Sequence, residues 1–434
     1  MLSETRGSDL DDAARRRARR SWRWAGVMVA GALAAAACGG DDSGSSSSDT
    51  TAGGAGATSA GGETTASGDP FVMGWIDSQT GPAGPGYLAT GLAGLQTYVD
   101  GLNARGGVSG RPVELDVVDD RTDPSAAVTG FRQLAGGDSL AIFGSSVSSH
   151  AAAQAPLAEE LGVALVAGGV PDALVYPPQS FFFASNLAHT ASAQVQLDFA
   201  EGLMEEEGID APKVAMFTVD TAASKEFREY VSSKLQDMGW TEVDDQVYTI
   251  GDTDFSAQMA SIARAEPDVV LTLVGSTDVP PFVGQLRQRG MDKPIINTYA
   301  GSDEPAFEQV NDADFYAPRS FVWPTDEVAS EMAAQAEESG LADEMVSTYF
   351  TRGYVLGQLI EEALVACGEG CDRAGFRDAL ETITELDTGG LSGPLSFGPE
   401  DHQLVSSAQM FIWDPEEGHT APVSDWIDAE AASR

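Results

Sequence analysis

Short apolar runs alternate with longer segments of helical period along most of this chain. Leu140-Ala141-Ile142-Phe143-Gly144 is one such run, and Val163-Ala164-Leu165-Val166-Ala167-Gly168-Gly169 is another. Between them lie Ser145-Ser146-Val147-Ser148-Ser149-His150 and an alanine-rich helical segment. Two short buried strands around a helix form a parallel strand–helix–strand unit with a right-handed crossover. The hydroxyl-rich turn falls at the carboxyl end of the first strand and at the amino end of the helix. In an open α/β sheet that edge binds ligands. Free N–H groups and the positive end of the helix dipole favour a carboxylate there. The same serines also fit a plain helix N-cap.

The pattern repeats on both sides of this unit. Phe71 to Ile76 reads as a first strand, followed by a turn-rich loop from Asp77 to Gly86 that contains Gln79. Leu88, Leu92, Leu95, Val99 and Leu102 then recur at spacings of three and four, which predicts an amphipathic helix ending at Arg105-Gly106-Gly107. Val113, Leu115 and Val117 alternate as a second strand, and a helix comes next from about Ser125 to Ala135. After a strand at Phe181–Phe183 and a helix over Ala188–Glu207, a second series begins at Lys213–Phe217. It continues through a helix at Phe227–Met238, a buried strand at Val269–Val274, a helix running to Arg289 and a short strand at Pro294–Asn297. Phe321-Val322-Trp323 reads as a crossing strand, with helices after it at about 326–339, 347–366 and 372–382. Gln409–Trp413 is a late strand. Two strand–helix series predict two α/β lobes rather than one enlarged sheet.

The first 69 residues do not belong to that pattern. Six arginines between Arg15 and Arg23 precede a short apolar run, Trp24 to Ala37, and then Cys38-Gly39. A basic region, a short apolar region and small residues before a cut make a secretory signal over 1–37. The run is short and alanine-rich for a membrane anchor, the rival reading. Residues 41–69 are almost entirely Gly, Ser, Thr, Ala and Asp, which predicts a flexible tether. The whole chain carries a net charge of −43, and its acids are dispersed, which excludes nucleic acid and anionic lipid as electrostatic partners. Of three cysteines, Cys367 and Cys371 flank a Gly-rich loop. A disulfide suits an exported chain, and metal binding, the alternative, lacks a nearby His. With four His in all, no nucleophile or phosphate-loop signature and no base evident for the serine turn, the residues point away from an enzyme. No cofactor or metal is expected.

Leu33 to Gly39 resembles a bacterial lipoprotein box, which implies that Cys38 is lipidated and that 38–69 tethers the body to the outer face of the cytoplasmic membrane. The body itself resembles the solute-binding proteins of ABC importers related to the leucine/isoleucine/valine-binding protein. The resemblance rests on four segments: Gly81-Pro82 through Asn103-Ala104-Arg105-Gly106-Gly107-Val108 and Gly110-Arg111-Pro112; Val118-Asp119-Asp120 with Asp123-Pro124; Ser148 through Val163; and Gly251-Asp252-Thr253-Asp254-Phe255-Ser256. It implies a type I periplasmic-binding fold: α/β, two Rossmann-like lobes with parallel sheets, joined by three crossings. Lobe 1 would be 70–186 plus 325–407, and lobe 2 would be 187–320 plus 408–434. The implied ligand is an amino acid or a related small carboxylate or amide, and the implied partner is an ABC permease. A sensor presenting its bound solute to a membrane receptor is the alternative.

The family's ligand positions fall on particular residues. The carboxylate-binding serine falls on Ser148, beside Ser149. The backbone groups after the next strand fall on Gly169 and Val170, and the first-loop aromatic falls at Tyr87, with Gln79 in the same loop. Ser276 and Tyr299 lie in second-lobe loops at the ligand edge. The acid that meets an ammonium falls on Ala300, so Asp303, Asp220 or Asp278 would replace it, or the ligand is not an α-amino acid. A buried ammonium without a carboxylate would be costly.

Overall fold

The computed structural model describes residue 66 and residues 68–249 and 251–429; the predicted signal, Cys38 and nearly all of the tether lie outside the described residues. The first apolar runs assemble one sheet. It comprises β1 (Phe71–Asp77), β2 (Val113–Asp119), β3 (Ala141–Gly144), β4 (Ala164–Ala167) and β5 (Phe182–Ala184), all parallel, in the order β2-β1-β3-β4-β5. Its crossovers carry α1 (Ala89–Ala104), α2 (Pro124–Gly136) and α3 (Ser148–Leu161). β3, β4 and β5 are buried at every position, which explains why they read as unbroken apolar runs.

After β5 the chain enters α4 (His189–Glu207) and builds a second sheet. In turn come β6 (Lys213–Val219), α5 (Ala222–Met238), β7 (Thr241–Tyr248), α6 (Ser256–Ala265), β8 (Val269–Leu273), α7 (Val279–Arg287), β9 (Ile295–Ile296), α8 (Glu304–Val310) and β10 (Phe315–Arg319). The chain then returns to the first sheet with α9 (Ser330–Glu338), α10 (Thr348–Cys367) and α11 (Arg373–Leu380). It ends in the second sheet with β11 (Ser407–Asp414), β12 (His419–Pro422) and β13 (Ile427–Asp428). The strand order there is β12-β11-β10-β9-β8-β6-β7, parallel from β7 to β10 and antiparallel beyond it. The chain therefore passes between the sheets after β5, after β10 and before β11. No helix of the described residues is long and apolar enough to cross a membrane.

Three elements depart from the sequence expectation. β7 is an edge strand exposed along much of its length, and its polar sequence carries no apolar run. β10 lies inside the sheet although it contains Pro318, a residue that usually argues against a central strand. Its neighbour β9 pairs only with Phe315 and Tyr316 and has ended before Pro318, so no ladder bond needs the missing N–H. Phe321, expected within a strand, forms only an isolated bridge to Ser392. Cys367 and Cys371 are joined at the end of α10, with Sγ–Sγ 2.07 Å and Cα–Cα 5.3 Å.

The late helix α10 brings residues from a distant part of the chain to the strand ends, and it lies directly on α1. A Cβ on Gly94 would fall 1.9 Å from the carbonyl oxygen of Phe350, and one on Gly353 would fall 1.9 Å from that of Gly91. Gly357 makes similar room for the Tyr98 ring, which meets Tyr354 edge-on at 5.0 Å. The two backbones thus touch through glycines. Gly94→Ala is expected to cost about 1–3 kcal/mol through overpacking. Gly202→Ala, in open space on the exposed side of α4, is expected to add about 0.5–1 kcal/mol. Urea denaturation of the two variants beside the parent checks both signs.

Candidate functional site

The carboxyl edges of both sheets and the crossings between them enclose a cavity of about 20 Å³. Helix α10 contributes Thr348, Tyr349 and Arg352; the crossings contribute Asn186, Ser320 and Phe321; the second lobe contributes Tyr299, Ser302 and Arg319. That volume holds about one water molecule. A larger, shallower depression of about 570 Å³ lies between α1, α9 and α10, away from the strand ends. Its lining comes from the first lobe's helices and the 388–391 loop alone, so it has none of the two-sided character of the small cavity.

On the first lobe, β1 ends in Asp77, a fully buried carboxylate. It accepts hydrogen bonds from the Ser146 backbone N–H at 3.2 Å, the Ser146 hydroxyl at 2.5 Å and the Ser78 N–H at 3.0 Å. The turn that supplies Ser146 begins with Gly144 and Ser145, both with positive φ (109° and 46°). A Cβ on Gly144 would lie 2.3 Å from the Ile76 carbonyl oxygen, so only glycine fits there. Arg352 then donates from Nη2 to the Ser146 hydroxyl at 2.7 Å, and its guanidinium stacks over the Tyr349 ring at 4.4 Å. Asp77, Ser146 and Arg352 form one chain of contacts from β1 through the serine turn to α10.

On the second lobe, Ser276 donates to Asp303 at 2.7 Å, and its hydroxyl also lies 3.2 Å from the Ala300 carbonyl. Burial raises the Asp303 carboxyl above the ordinary range, against the opposing hydrogen bond from Ser276 and the charge of Arg319. Tyr87 faces Tyr349 with ring centres 4.6 Å apart and hydroxyl oxygens 3.4 Å apart. Burial pushes the Tyr87 phenol well up, and the neighbouring Tyr349 and the charge of Asp303 add to the shift. Tyr299 is likewise raised by burial.

Among the sequence-predicted residues, Tyr299 lines the cavity, and Tyr87, Ser276 and Asp303 gather beside it. The others are placed differently. Ser149 and Asp220 are exposed. Gln79 is bound through its backbone N–H to Asp119 at 2.9 Å, while its buried Nε2 finds no partner. Gly169 donates its N–H to the Ser145 carbonyl at 2.9 Å, and its missing Cβ lets it pack against Ser148, with Val170 buried beside it. Asp278 accepts from the Tyr248 hydroxyl at 2.8 Å.

Ser148 meets His189 Nε2 at 3.3 Å, and His189 Nδ1 lies 2.7 Å from Glu226. A base therefore does stand beside the serine turn, contrary to the sequence reading, because α4 starts against the turn from a distant part of the chain. The three side chains link the first lobe's turn to α4 and α5 of the second. His150 is also engaged, 2.8 Å from Asp120 in a buried pair. The sequence reading missed Tyr349, Arg352 and Arg319. A signal existed for Arg352: it is the one charge within Tyr349-Phe350-Thr351-Arg352-Gly353-Tyr354-Val355-Leu356.

Asp77 makes the closed seam pH-sensitive. Burial lifts its carboxyl to about 6, opposed by the Arg352 charge and by the Ser146 and Ser78 hydrogen bonds. Between pH 4 and 6 the folded protein holds a proton on this group that the unfolded chain releases, so stability falls as pH rises through that window. A window of that width corresponds to about 3 kcal/mol. Asp77→Asn is expected to lack this slope, so the stability difference between wild type and variant moves in favour of the wild type as pH drops from about 7 to about 4. Denaturant titrations at a series of pH values measure it.

The comparisons with known proteins agree with this architecture. The family described as periplasmic binding protein matches residues 70–419. The Leu/Ile/Val-binding protein BraC3 of Rhizobium johnstonii is 23% identical over 350 residues, covering 79% of this chain and 91% of its own. Leu/Ile/Val-binding protein homolog 7 of Brucella abortus is 25% identical over 358 residues, covering 78% and 87%. Among solved structures, a branched chain amino acid ABC transporter from Thermus thermophilus with bound valine superposes with a TM-score of 0.74 at 16% identity, covering 84% of this chain and 98% of its own. The branched-chain amino acid transporter substrate binding protein LivJ of Streptococcus pneumoniae, in complex with isoleucine, gives 0.68 at 19%, covering 83% and 100%. Two α/β lobes, a cavity at their crossings and a family match across nearly the whole body agree: this chain belongs to the periplasmic binding protein family, whose members bind solutes and do not catalyse reactions.

Proposed function

We propose that this chain is the extracytoplasmic, lipid-anchored solute-binding component of an ABC importer. It captures an amino acid or a related small carboxylate by closing its two lobes. The observation that carries this reading is the cavity at the crossings, lined from both lobes and from the segments that join them. A hinge there converts ligand contact into lobe closure, and the closed form is what a permease can distinguish from the open one. The sequence similarity to Leu/Ile/Val-binding proteins supports an amino-acid ligand. Tyr87, Tyr299 and Tyr349 supply aromatic faces to flank an apolar side chain, and Asp303 is the acid positioned for an ammonium. Residues 38–69 would tether the body through lipid on Cys38.

Two measurements test these points. Thermal unfolding of the purified full-length chain is run with each of the twenty amino acids and with short carboxylates. A ligand at about a hundred times its dissociation constant adds about 2.7 kcal/mol and produces a clear rise in Tm. Absence of a rise with every compound rejects the capture reading. For the anchor, Cys38→Ser is expected to move the protein from the membrane fraction to the soluble fraction and to abolish labelling with a radioactive fatty acid. Retention of both behaviours rejects lipidation at Cys38.

A further inference from the structure

Two arginines line the small cavity, each only 1% exposed, and the protein treats them differently. Arg319 is fully engaged: Nε donates to the Ser302 carbonyl at 2.7 Å, Nη2 bonds the same oxygen, and Nη1 donates to Thr420 at 2.6 Å and lies 3.4 Å from Glu304. Among the described residues Arg352 has a partner for Nη2 alone, the Ser146 hydroxyl; Nε and Nη1 are buried with none there. It forms no direct ion pair with a carboxylate among the described residues. Asp77, whose charge reaches it, is separated from it by Ser146.

Buried guanidinium donors without acceptors are expensive, because neither water nor protein replaces their lost hydration. The fold nevertheless makes room for this group. A Cβ on Gly168 would sit 1.9 Å from Arg352 Nη1, so glycine at the end of β4 is what admits the guanidinium. Tyr349 fixes its plane from one side and Ser146 holds one corner. A side chain held in place with donors unspent, at the wall of a cavity between closing lobes, is built to meet an acceptor that arrives from outside. A guanidinium matches a planar carboxylate better than any neutral group does.

We infer that Arg352 is the anion anchor of the binding site, and that the ligand must present a carboxylate to α10 of the first lobe. This rests on the proposed capture function and narrows it. The serine turn at Ser148, expected to hold the anion, instead positions Arg352 through Ser146. Neutral amides and amines of the same shape are poor ligands, whatever their side chain.

The test pairs carboxylates with their amides on the full-length chain by calorimetry: L-leucine with L-leucinamide, L-valine with L-valinamide, 4-methylpentanoate with 4-methylpentanamide and benzoate with benzamide. The acid of at least one pair is expected to bind at least 100-fold more tightly than its amide. In Arg352→Gln that ratio is expected to fall below 10-fold, with the affinity for the acid falling and that for the amide nearly unchanged. A purely structural arginine would weaken both members alike and leave the ratio intact, and that result overturns the inference. If Arg352→Gln does not fold, the wild-type ratio still decides, since an amide that binds as tightly as its acid refutes an anion anchor. Binding of amides alone overturns the anchor and leaves solute capture standing. Silence from every compound here and in the amino-acid panel overturns both.

Discussion

The constraint on which this structure turns is the burial of charge where the two lobes meet. Asp77, Asp303, Arg319 and Arg352 all lie at or beside one seam, and charge transferred from water to such a place must be compensated. The compensation is complete for Arg319, which has Glu304, Ser302 and Thr420 around it. It is incomplete for Asp77 and Asp303, whose carboxyls remain raised by burial despite their hydrogen bonds, and for Arg352, with two donors unmet. Parting the lobes would return these groups to water. A ligand that brought a carboxylate to Arg352, or a cationic group to Asp303, would offset part of that imbalance in the closed form and would shift the balance between open and closed by its differential contact with the two.

Such an imbalance survives only on a frame that cannot relax around it. The glycine contacts between α1 and α10 bring two backbones together with no side chains to compress. Asp77 closes the strand end of β1, and the left-handed pair Gly144-Ser145 fixes the turn that carries Ser146. The parts of the seam within the first lobe are thereby locked to one another, and under the proposed capture function a ligand would act on the relation between the lobes.

Much of the fold was legible because fully buried parallel strands have to be apolar along their whole length, as β3, β4 and β5 are. The same rule explains the elements that escaped. β7 sits at an edge and needs no apolar run. β10 holds a proline that is harmless only because β9 is two residues long, a fact of tertiary geometry. Of the residues expected at the ligand edge, Tyr299 lines the cavity, Tyr87 packs on Tyr349 of its wall, and Ser276 bonds Asp303 in the loop after Tyr299. Arg352 was not found because it arrives on a helix late in the chain, far in sequence from the strand ends it faces, and strand-edge reasoning looks only at the loops directly after strands.

The serine turn shows most clearly where local reasoning stops. A helix amino terminus with free N–H groups attracts an anion, and that physics holds here. The anion is the protein's own: Asp77 accepts both the backbone N–H and the hydroxyl of Ser146 just ahead of α3. The Gly169 N–H is taken by Ser145, and that of His150 by Val147. Only the structure reveals this contact, because Asp77 and Ser146 are brought together by pairing of β1 with β3. The Ser146 hydroxyl that donates to Asp77 in turn accepts from Arg352, so carboxylate, hydroxyl and guanidinium lie in one row from the strand end to α10. If Arg352 is the anion anchor inferred above, the protein meets an incoming anion with a side chain instead of with backbone.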